Sequence, residues 1–514
     1  MRHEIETETF ARNSRRALLN PRLQQAMSKA TEKFIAIQTG VSAGGEEWQQ
    51  WRERAVMIKA HTLDNLDYYL ERFASNVEHS GGRVCWAHDA EEANRYICDL
   101  ARARGVRLAV KSKSMMSEEI ELNHALAAAG VEAVETDFGE FIAQLAGERP
   151  SHINMPIVHK SRTDVTDLFA EKLNVGHLEE IKDLASVARR LLRARFAAAE
   201  MGITGVNFAI AESGTIVLVE NEGNIRFTTA LPPVQVAVMG IEKVIPQLAD
   251  LEVFLKLLPR SASGQKITAG ISLLTGVKRA PHEEGPQEFH VIILDNGRTD
   301  ILADPQLRES LYCIRCGACL NVCPVYRKIG GHAYGWVYPG PIGAVLTPTL
   351  IGREKSADLP FASTLCGACR DVCPVKIKLP EMLLHLRTQI KERPTPAVRM
   401  KVDVPARTGS HSQRTLGQLL RNGAERAAFK LWAAVMKDAR RYHRAARLAR
   451  LAQLALGGGK RRGVLSILLS RWTATSHLPP LAPRPFSSWW REISDADESL
   501  KAPPESAAVV RGRR

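Results

Sequence analysis

Cysteine is nearly absent from most of this 514-residue chain: of nine, only Cys85 and Cys98 lie outside positions 313–373. No partner pattern surrounds those two. The distribution excludes the spread disulfide framework of a secreted protein and points to metal ligation in a reducing compartment. Long apolar runs are missing as well. GVLSILLS at 463–470 falls far short of the roughly 20 residues needed to span a bilayer. The first residues, MRHEIETETFARNSRRALLN, are charged throughout and lack the apolar core of a secretory signal. The expected location is therefore cytoplasmic, with any membrane contact peripheral and on the inner face. Nucleotide and hydrolase signatures are also wanting: there is no HExxH, no GxSxG, and no GxGxxG after a strand. GGGKRRG at 457–463 lacks the preceding strand and the Ser/Thr after Lys of a phosphate loop. No flavin or NAD site is expected in this chain.

Acidic residues thin out toward the end. Residues 391–514 carry 25 Lys+Arg against 9 Asp+Glu, which leaves a net charge of −2 on residues 1–390. A basic region of this kind suits an acidic protein, an anionic lipid or nucleic acid, and its sign does not choose among them.

What is present reads as several domains, since one hydrophobic core rarely extends over so long a chain. Residues 1–75 read as a polar helical segment. From 76 to 300, Val- and Ile-rich runs alternate with amphipathic stretches, the pattern of an α/β domain with a largely parallel, mixed sheet. RLAVKSKS, VEAVETD, HINMPIVH, NFAIAESGTIVLVENEG, VQVAVMGIEKVI and EFHVIILDNGR are the strand candidates, and AESGTIVLVENEGN reads as a hairpin. In SEEIELNHALAAAG, Ser117 is the expected N-cap and Gly130 the stop. Residues 301–390 hold the cysteines among many Gly and Pro, with helical flanks. Residues 391–495 read as a basic helical region, and 496–514 as a disordered tail.

The cysteines form two near copies. CIRCGACLNVCP carries Cys313, Cys316, Cys319 and Cys323; STLCGACRDVCP carries Cys366, Cys369 and Cys373, with Ser363 where the register calls for a fourth. Cys-x2-Cys-x2-Cys-x3-Cys-Pro supplies three converging thiolates from a tight loop, while the last cysteine serves the other cluster of a two-cluster protein. Zinc sites more often pair two CxxC knuckles across a long spacer. The crossing rule assigns Cys313, Cys316, Cys319 and Cys373 to a first cluster, expected as [4Fe–4S]. Cys323, Cys366 and Cys369 go to a second, [4Fe–4S] or [3Fe–4S]. The fourth position of that cluster is open to a Ser363 alkoxide, to water, to another ligand, or to a missing iron. A relic second motif is a poor reading, because the first cluster needs Cys373. The long spacer between the motifs resembles the helical two-cluster ferredoxin domain, and GGHAYGWVYPGPIGAVLTP within it is placed to screen a cluster from water. His332 in that insert reads as structural.

CxxCGAC with NVCPVY and YPGPIGAVLTP resembles the lactate-utilization protein B family. VKSKSMMSEEIELN, ETDFGEFIAQL, PSHINMPIVHK, ESGTIVLVENEGNIR, LDNGR and the late FSSWW extend the resemblance over roughly 60–490. It implies an electron-transfer subunit of a three-protein system oxidising L-lactate to pyruvate, two clusters on the seven cysteines, and a three-cysteine second motif. It also implies an α/β domain of the sugar-phosphate isomerase and CoA-transferase kind. Partners are then other subunits of a lactate-utilization complex. The basic C-terminal region offers a peripheral membrane or quinone-linked contact. A glycolate-type 2-hydroxy-acid complex is the alternative. A nucleic-acid protein with a structural cluster is an alternative of another class, disfavoured by the tail's few aromatics.

Away from the cysteines, Lys111 and Lys113 follow a strand, Glu135, Asp137 and Glu140 share one short segment, and His152 and His159 flank a predicted strand. Glu222 and Asn224 sit in the VENEGN turn. Lys111, Lys113, Glu222 and Asn224 are expected to line a small-acid or partner-docking pocket.

Overall fold

A computed structural model of the protein describes residues 5–42, 45–178, 180–280, 282–392, 427–455 and 486–496. The chain divides into two compact units, Met1–Val398 and Arg399–Arg514.

Among the described residues, the first unit has ten strands: β1 (Arg83–Ala87), β2 (Leu108–Lys111), β3 (Glu132–Glu135), β4 (Met201–Gly205), β5 (Phe208–Ile210), β6 (Thr215–Glu220), β7 (Val234–Gly240), β8 (Val244–Ile245), β9 (Gly270–Leu274) and β10 (Glu288–Leu294). Six form one sheet in the order β1-β10-β7-β4-β2-β3. Every neighbouring pair in it is parallel, with Val84 opposite Val291, Ile292 opposite Val238 and Val236 opposite Ile203. Its central strands are buried along their length, as a sheet covered on both faces requires. Helices between the strands are set by local caps. Asp89 Oδ1 accepts the Glu91 and Glu92 amides at the start of Ala90–Ala103, and Asp137 Oδ1 accepts those of Gly139 and Glu140 at the start of Phe138–Ala146.

The remaining strands pair as β8-β5-β6-β9. β5 and β6 are the expected antiparallel hairpin. Gly214 closes it at φ +69°, where a Cβ would stand 2.5 Å from the backbone of Asn76. Helices Phe10–Leu18, Pro21–Ser42, Gly45–Asp64 and Leu66–His79 precede the sheets. Met27, Trp48, Ala55 and Phe73 from these helices share one hydrophobic core with the second sheet and with Cys316, Cys323, Cys369 and Cys373. That core exists because each of the three parts has an apolar face it cannot cover alone.

Three details differ from the sequence reading. HINMPIVH is not a strand: residues 151–158 form bends and turns, closed by the Ser151 amide on the Pro156 carbonyl at 2.8 Å. The cap of the helix after β2 is Ser114, whose Oγ accepts the Ser117 amide at 3.2 Å, and Ser117 lies inside helix Met115–Glu119. RVCWA, MGITG and GISLL are strands that their short, mixed composition concealed.

In the second unit, residues 427–436, Ala439–Ala455 and Phe486–Ala496 are helical, the last containing the FSSWW motif. The readings of GGGKRRG, GVLSILLS and the tail from 497 lie outside the described residues. No helix among the described residues is long and apolar enough to cross a membrane.

Candidate metal centre

The two cysteine loops have the same backbone. Arg315 (φ +60°) and Leu365 (φ +56°) occupy the left-handed region, each followed two residues later by a glycine there, Gly317 and Gly367. In the first loop the Arg315 amide donates to Cys313 Sγ at 3.4 Å. In the second, the Leu365 amide donates to Ser363 Oγ at 3.1 Å. Ser363 thus takes the structural role of Cys313 in its own turn. Short helices follow in both, Ala318–Val322 and Ala368–Asp371.

All seven sulfurs are free thiols, and Cys316, Cys323, Cys369 and Cys373 are buried, whereas Cys366 is exposed. Burial and neighbouring thiols act on most of them, across the two loops as well as within each. Burial raises Cys316 above its ordinary range, with Cys373 and Cys313 adding to it. Burial also raises Cys319, reinforced by Cys313, Cys316, Cys369 and Cys373. Cys369 is pushed up to about 12 by burial and then by Cys323 and Cys366. Cys373 is pushed up to about 11 by burial, and the Ile377 amide and Arg52 oppose the rise. Cys366, near the surface, is lowered by hydrogen bonds from Thr364 and the Ala368 amide. Thiols buried this closely ionise together only around a cationic core, so this donor set fits iron–sulfur clusters.

Residues far away in sequence hold the loops. Arg52 donates through Nε and Nη2 to the Cys373 carbonyl at 3.0 and 2.8 Å. Asn154 Nδ2 donates to the Cys316 carbonyl. Gly317 is required here, since a Cβ would meet Asn154 Nδ2 and His152 Cε1 at 3.0 Å. His152 Nδ1 accepts the Asn154 amide at 3.0 Å, so its Nε2–H donates to Asn321 Oδ1 at 3.1 Å. Burial, with a contribution from Lys113, lowers His152 to about 3 and keeps it neutral. The PSHINMP segment is irregular because it is moulded to the first cysteine loop. Nothing in its periodicity signals that contact.

Under the first loop lies a buried charge network. Arg298 pairs with Glu119 at 2.8 Å and with Glu242 at 2.8 Å, and Tyr338 donates to Glu119 Oε2 at 2.5 Å. Arg315 Nη2 is 3.5 Å from Glu242 Oε1, and Lys59 Nζ donates to the Glu242 carbonyl. Burial pulls Lys59 down to about 7 and Lys243 to about 8. Tyr338, Ala344, Val345 and Leu346 of the insert are fully buried, the last three in the core that holds Cys316, Cys323, Cys369 and Cys373.

A cavity of about 400 Å³ adjoins this network, and Lys113, Glu222 and Asn224 line it as expected. Lys111 does not. Its Nζ is buried against Glu135 (2.8 Å), Ser117 Oγ (2.8 Å) and Glu118 (3.1 Å); β2 ends at Lys111, so Lys113 lies in the following loop and is free of the strand's alternation. Glu135 is that partner, Asp137 a helix cap, and Glu140 a buried carboxyl raised by burial and Glu135. His159 Nε2 meets Glu148 at 2.8 Å, and His332 Nε2 meets the Arg149 carbonyl at 2.7 Å, so both histidines have local structural partners.

A parallel α/β domain joined to a segment of two cysteine loops defines a class, and family comparisons agree: residues 70–294 match the LUD domain and 309–377 the 4Fe-4S dicluster domain. The chain is 47% identical over 394 residues to "Lactate utilization protein B" of Anoxybacillus flavithermus (strain DSM 21510 / WK1), covering 76% of this chain and 83% of that one. It is 40% identical over 489 residues to the protein of that name from Shouchella clausii (strain KSM-K16), covering 95% and 98%. The chain belongs to the lactate utilization protein B family. A crystal structure of a DUF162 family protein from Deinococcus radiodurans also matches, at 14% identity and a TM-score of 0.25, over 45% of this chain and 98% of that one. That likeness is too low to add to the argument.

Proposed function

We propose that the protein carries single electrons in the oxidation of L-lactate to pyruvate, alongside other subunits of a lactate-utilization complex. The convergence of six of the seven thiols from two loops into a shared core, with Cys366 at its exposed edge, carries this reading, and the names of its relatives supply the substrate. Cys313, Cys316, Cys319 and Cys373 would hold one [4Fe–4S] cluster. Cys323, Cys366 and Cys369 would hold a second, [4Fe–4S] or [3Fe–4S], with Ser363 the candidate fourth ligand. When bound, such clusters accept and release one electron at a time.

The chain's own residues set the terms. Arg52 and Asn154 fix the loop carbonyls, and the insert excludes water from the first loop. Lys59, Lys243 and Arg315 lie near Cys313 and favour added negative charge there. Cys366 at the surface marks the side from which a partner exchanges electrons. The helices of the second unit keep Trp432, Leu448 and Trp489 exposed among basic residues, which suits a partner or an anionic membrane surface near a quinone acceptor.

Anaerobic purification with iron counting and EPR tests the clusters: about eight irons per chain fits two cubanes, and about seven fits one cubane with a three-iron cluster. Growth on L-lactate of a deletion strain carrying Cys316→Ser tests the role. Growth at the wild-type rate, with the EPR signal gone, would sink it.

A further inference from the structure

The cavity of about 400 Å³ lies where the loops after β2, β4 and β7 meet the first cysteine loop: Ser112, Lys113 and Ser114, then Gly205 to Asn207, then Lys243, facing Arg315. Carboxyl ends of strands in an open parallel sheet are where such folds receive ligands. Position alone does not make a site. The donors in this one do.

Three charged or polar donors on the wall are buried with valences unfilled. Lys243 is 8% exposed, and among the described residues its ammonium has neither a hydrogen-bond nor an ion-pair partner. The acid next to it, Glu242, is already held by Arg298 at 2.8 Å. Arg315 Nη1 is buried without a hydrogen-bond partner, and so is Ser112 Oγ. Lys113, partly exposed, adds a further cation without a direct partner.

The acids on the same wall each have one oxygen held by backbone amides. Asp137 caps a helix, Glu220 Oε2 accepts the Ile225 amide at 2.8 Å, and Glu222 Oε2 accepts the Phe138 amide at 2.9 Å. The wall therefore offers spare donors and cations to an anion, while its own carboxylates are turned to backbone. Val206, Leu218 and Leu258 supply an apolar side. Buried unpaired donors are costly, and an anionic ligand removes that cost.

We propose that this cavity binds a small organic carboxylate, its anionic head on Lys243 and Arg315 and its carbon body against Val206, Leu218 and Leu258. The ligand then sits beside the loop that carries Cys313. A competing account makes Lys243 and Arg315 mere counter-charge to the sulfurs of that loop. Counter-charge needs no open volume and no apolar wall, and Lys59, tied to the Glu242 carbonyl, already serves it without facing the cavity.

The site does not depend on lactate being the fuel, so its failure leaves the iron count, the EPR spectra and the growth tests standing. Isothermal titration of the anaerobic holoprotein with L-lactate, pyruvate and inorganic phosphate decides it. Saturable binding of at least one of the two organic acids is expected, tighter than that of phosphate. Lys243→Met should weaken it at least about tenfold, the loss of one charge-assisted hydrogen bond, with iron content unchanged. Lys113→Glu, at a partly exposed position, should also weaken it about tenfold. It decides the matter if Lys243→Met loses iron. No saturable heat from either acid overturns the proposal. So does binding that both variants leave intact, or phosphate bound more tightly than both acids. A shift in the cluster midpoint potential in Lys243→Met, with no binding by the unaltered protein, assigns Lys243 to counter-charge and also overturns it.

Discussion

The two cysteine loops share one backbone and differ in what surrounds them. The first is buried against the α/β domain: Asn154 holds its carbonyl, Glu242 meets Arg315, and Tyr338 of the insert covers the network. The second rests on helix Leu379–Lys391, where Arg387 donates to the carbonyls of Pro360 (2.8 Å) and Ser363 (2.9 Å), and its Cys366 reaches solvent. A repeated motif fixes local geometry and leaves the environment free. Burial beside cations and exposure to water then become separate controls on two otherwise equivalent sites.

The largest effect should come from a cysteine that belongs to one loop by sequence and, under the proposed ligand exchange, to the cluster of the other. Cys373→Ser lies in the second motif, yet its sulfur acts on Cys313 and Cys316. Iron should fall by about four of about eight per chain, and the surviving EPR signal should be that of the second cluster. If Cys373→Ser instead abolishes the signal that Cys366→Ser abolishes, the loops do not exchange ligands and the comparison collapses.

Next is stability. Arg298→Met leaves Glu119 buried without its cation and Glu242 with only the longer 3.5 Å contact to Arg315, and should cost about 3–5 kcal/mol in chemical denaturation. Arg387→Met removes two hydrogen bonds on the more open second loop and should cost about 1–2 kcal/mol. Equal losses would mean that the first loop is no more firmly embedded than the second.

Much of this was legible in the sequence. The cysteine spacing gave both loops, and Val/Ile runs such as EFHVIIL and VQVAVMG gave the inner strands, because burial on both faces demands continuous apolar stretches. The hairpin was legible from its glycines. Residues that act across the fold were not. Arg52 and Asn154 reach cysteine carbonyls 321 and 162 positions away, and nothing local marks them. Lys111 and Lys113 look equivalent in sequence, and the carboxylates of buried Glu135 and half-buried Glu118 claim the first. The open cavity donors, Lys243 and Ser112, come from ordinary-looking loops that the sheet brings together.

The pH response separates the loops by their supports. His152, under the first loop, is lowered to about 3, against about 6.5 in an unfolded chain. Between those values the unfolded chain binds a proton that the folded one refuses. The stability it contributes is therefore full above pH ~6.5 and declines as pH falls, by up to about 1.4 kcal/mol per pH unit. His332, lowered to about 4, adds in the same sense. In denaturant titrations between pH 7 and 5, His152→Gln should flatten the slope by about one proton. An unchanged slope would show that His152 titrates normally.

The smallest effect concerns the position where a cysteine of the first loop is a serine in the second. Ser363 Oγ accepts the Leu365 amide as Cys313 Sγ accepts that of Arg315, so the turn survives without the sulfur. If that is all Ser363 does, Ser363→Ala should cost about 1 kcal/mol and leave iron content and both EPR signals unchanged. If Ser363 also ligates iron, the same variant should alter the second signal alone. Ser363→Cys restores the missing thiol in the same turn and should shift the second cluster's midpoint potential while the first stays fixed. A shift in the first instead would mean that the pair is coupled more tightly than their different surroundings imply.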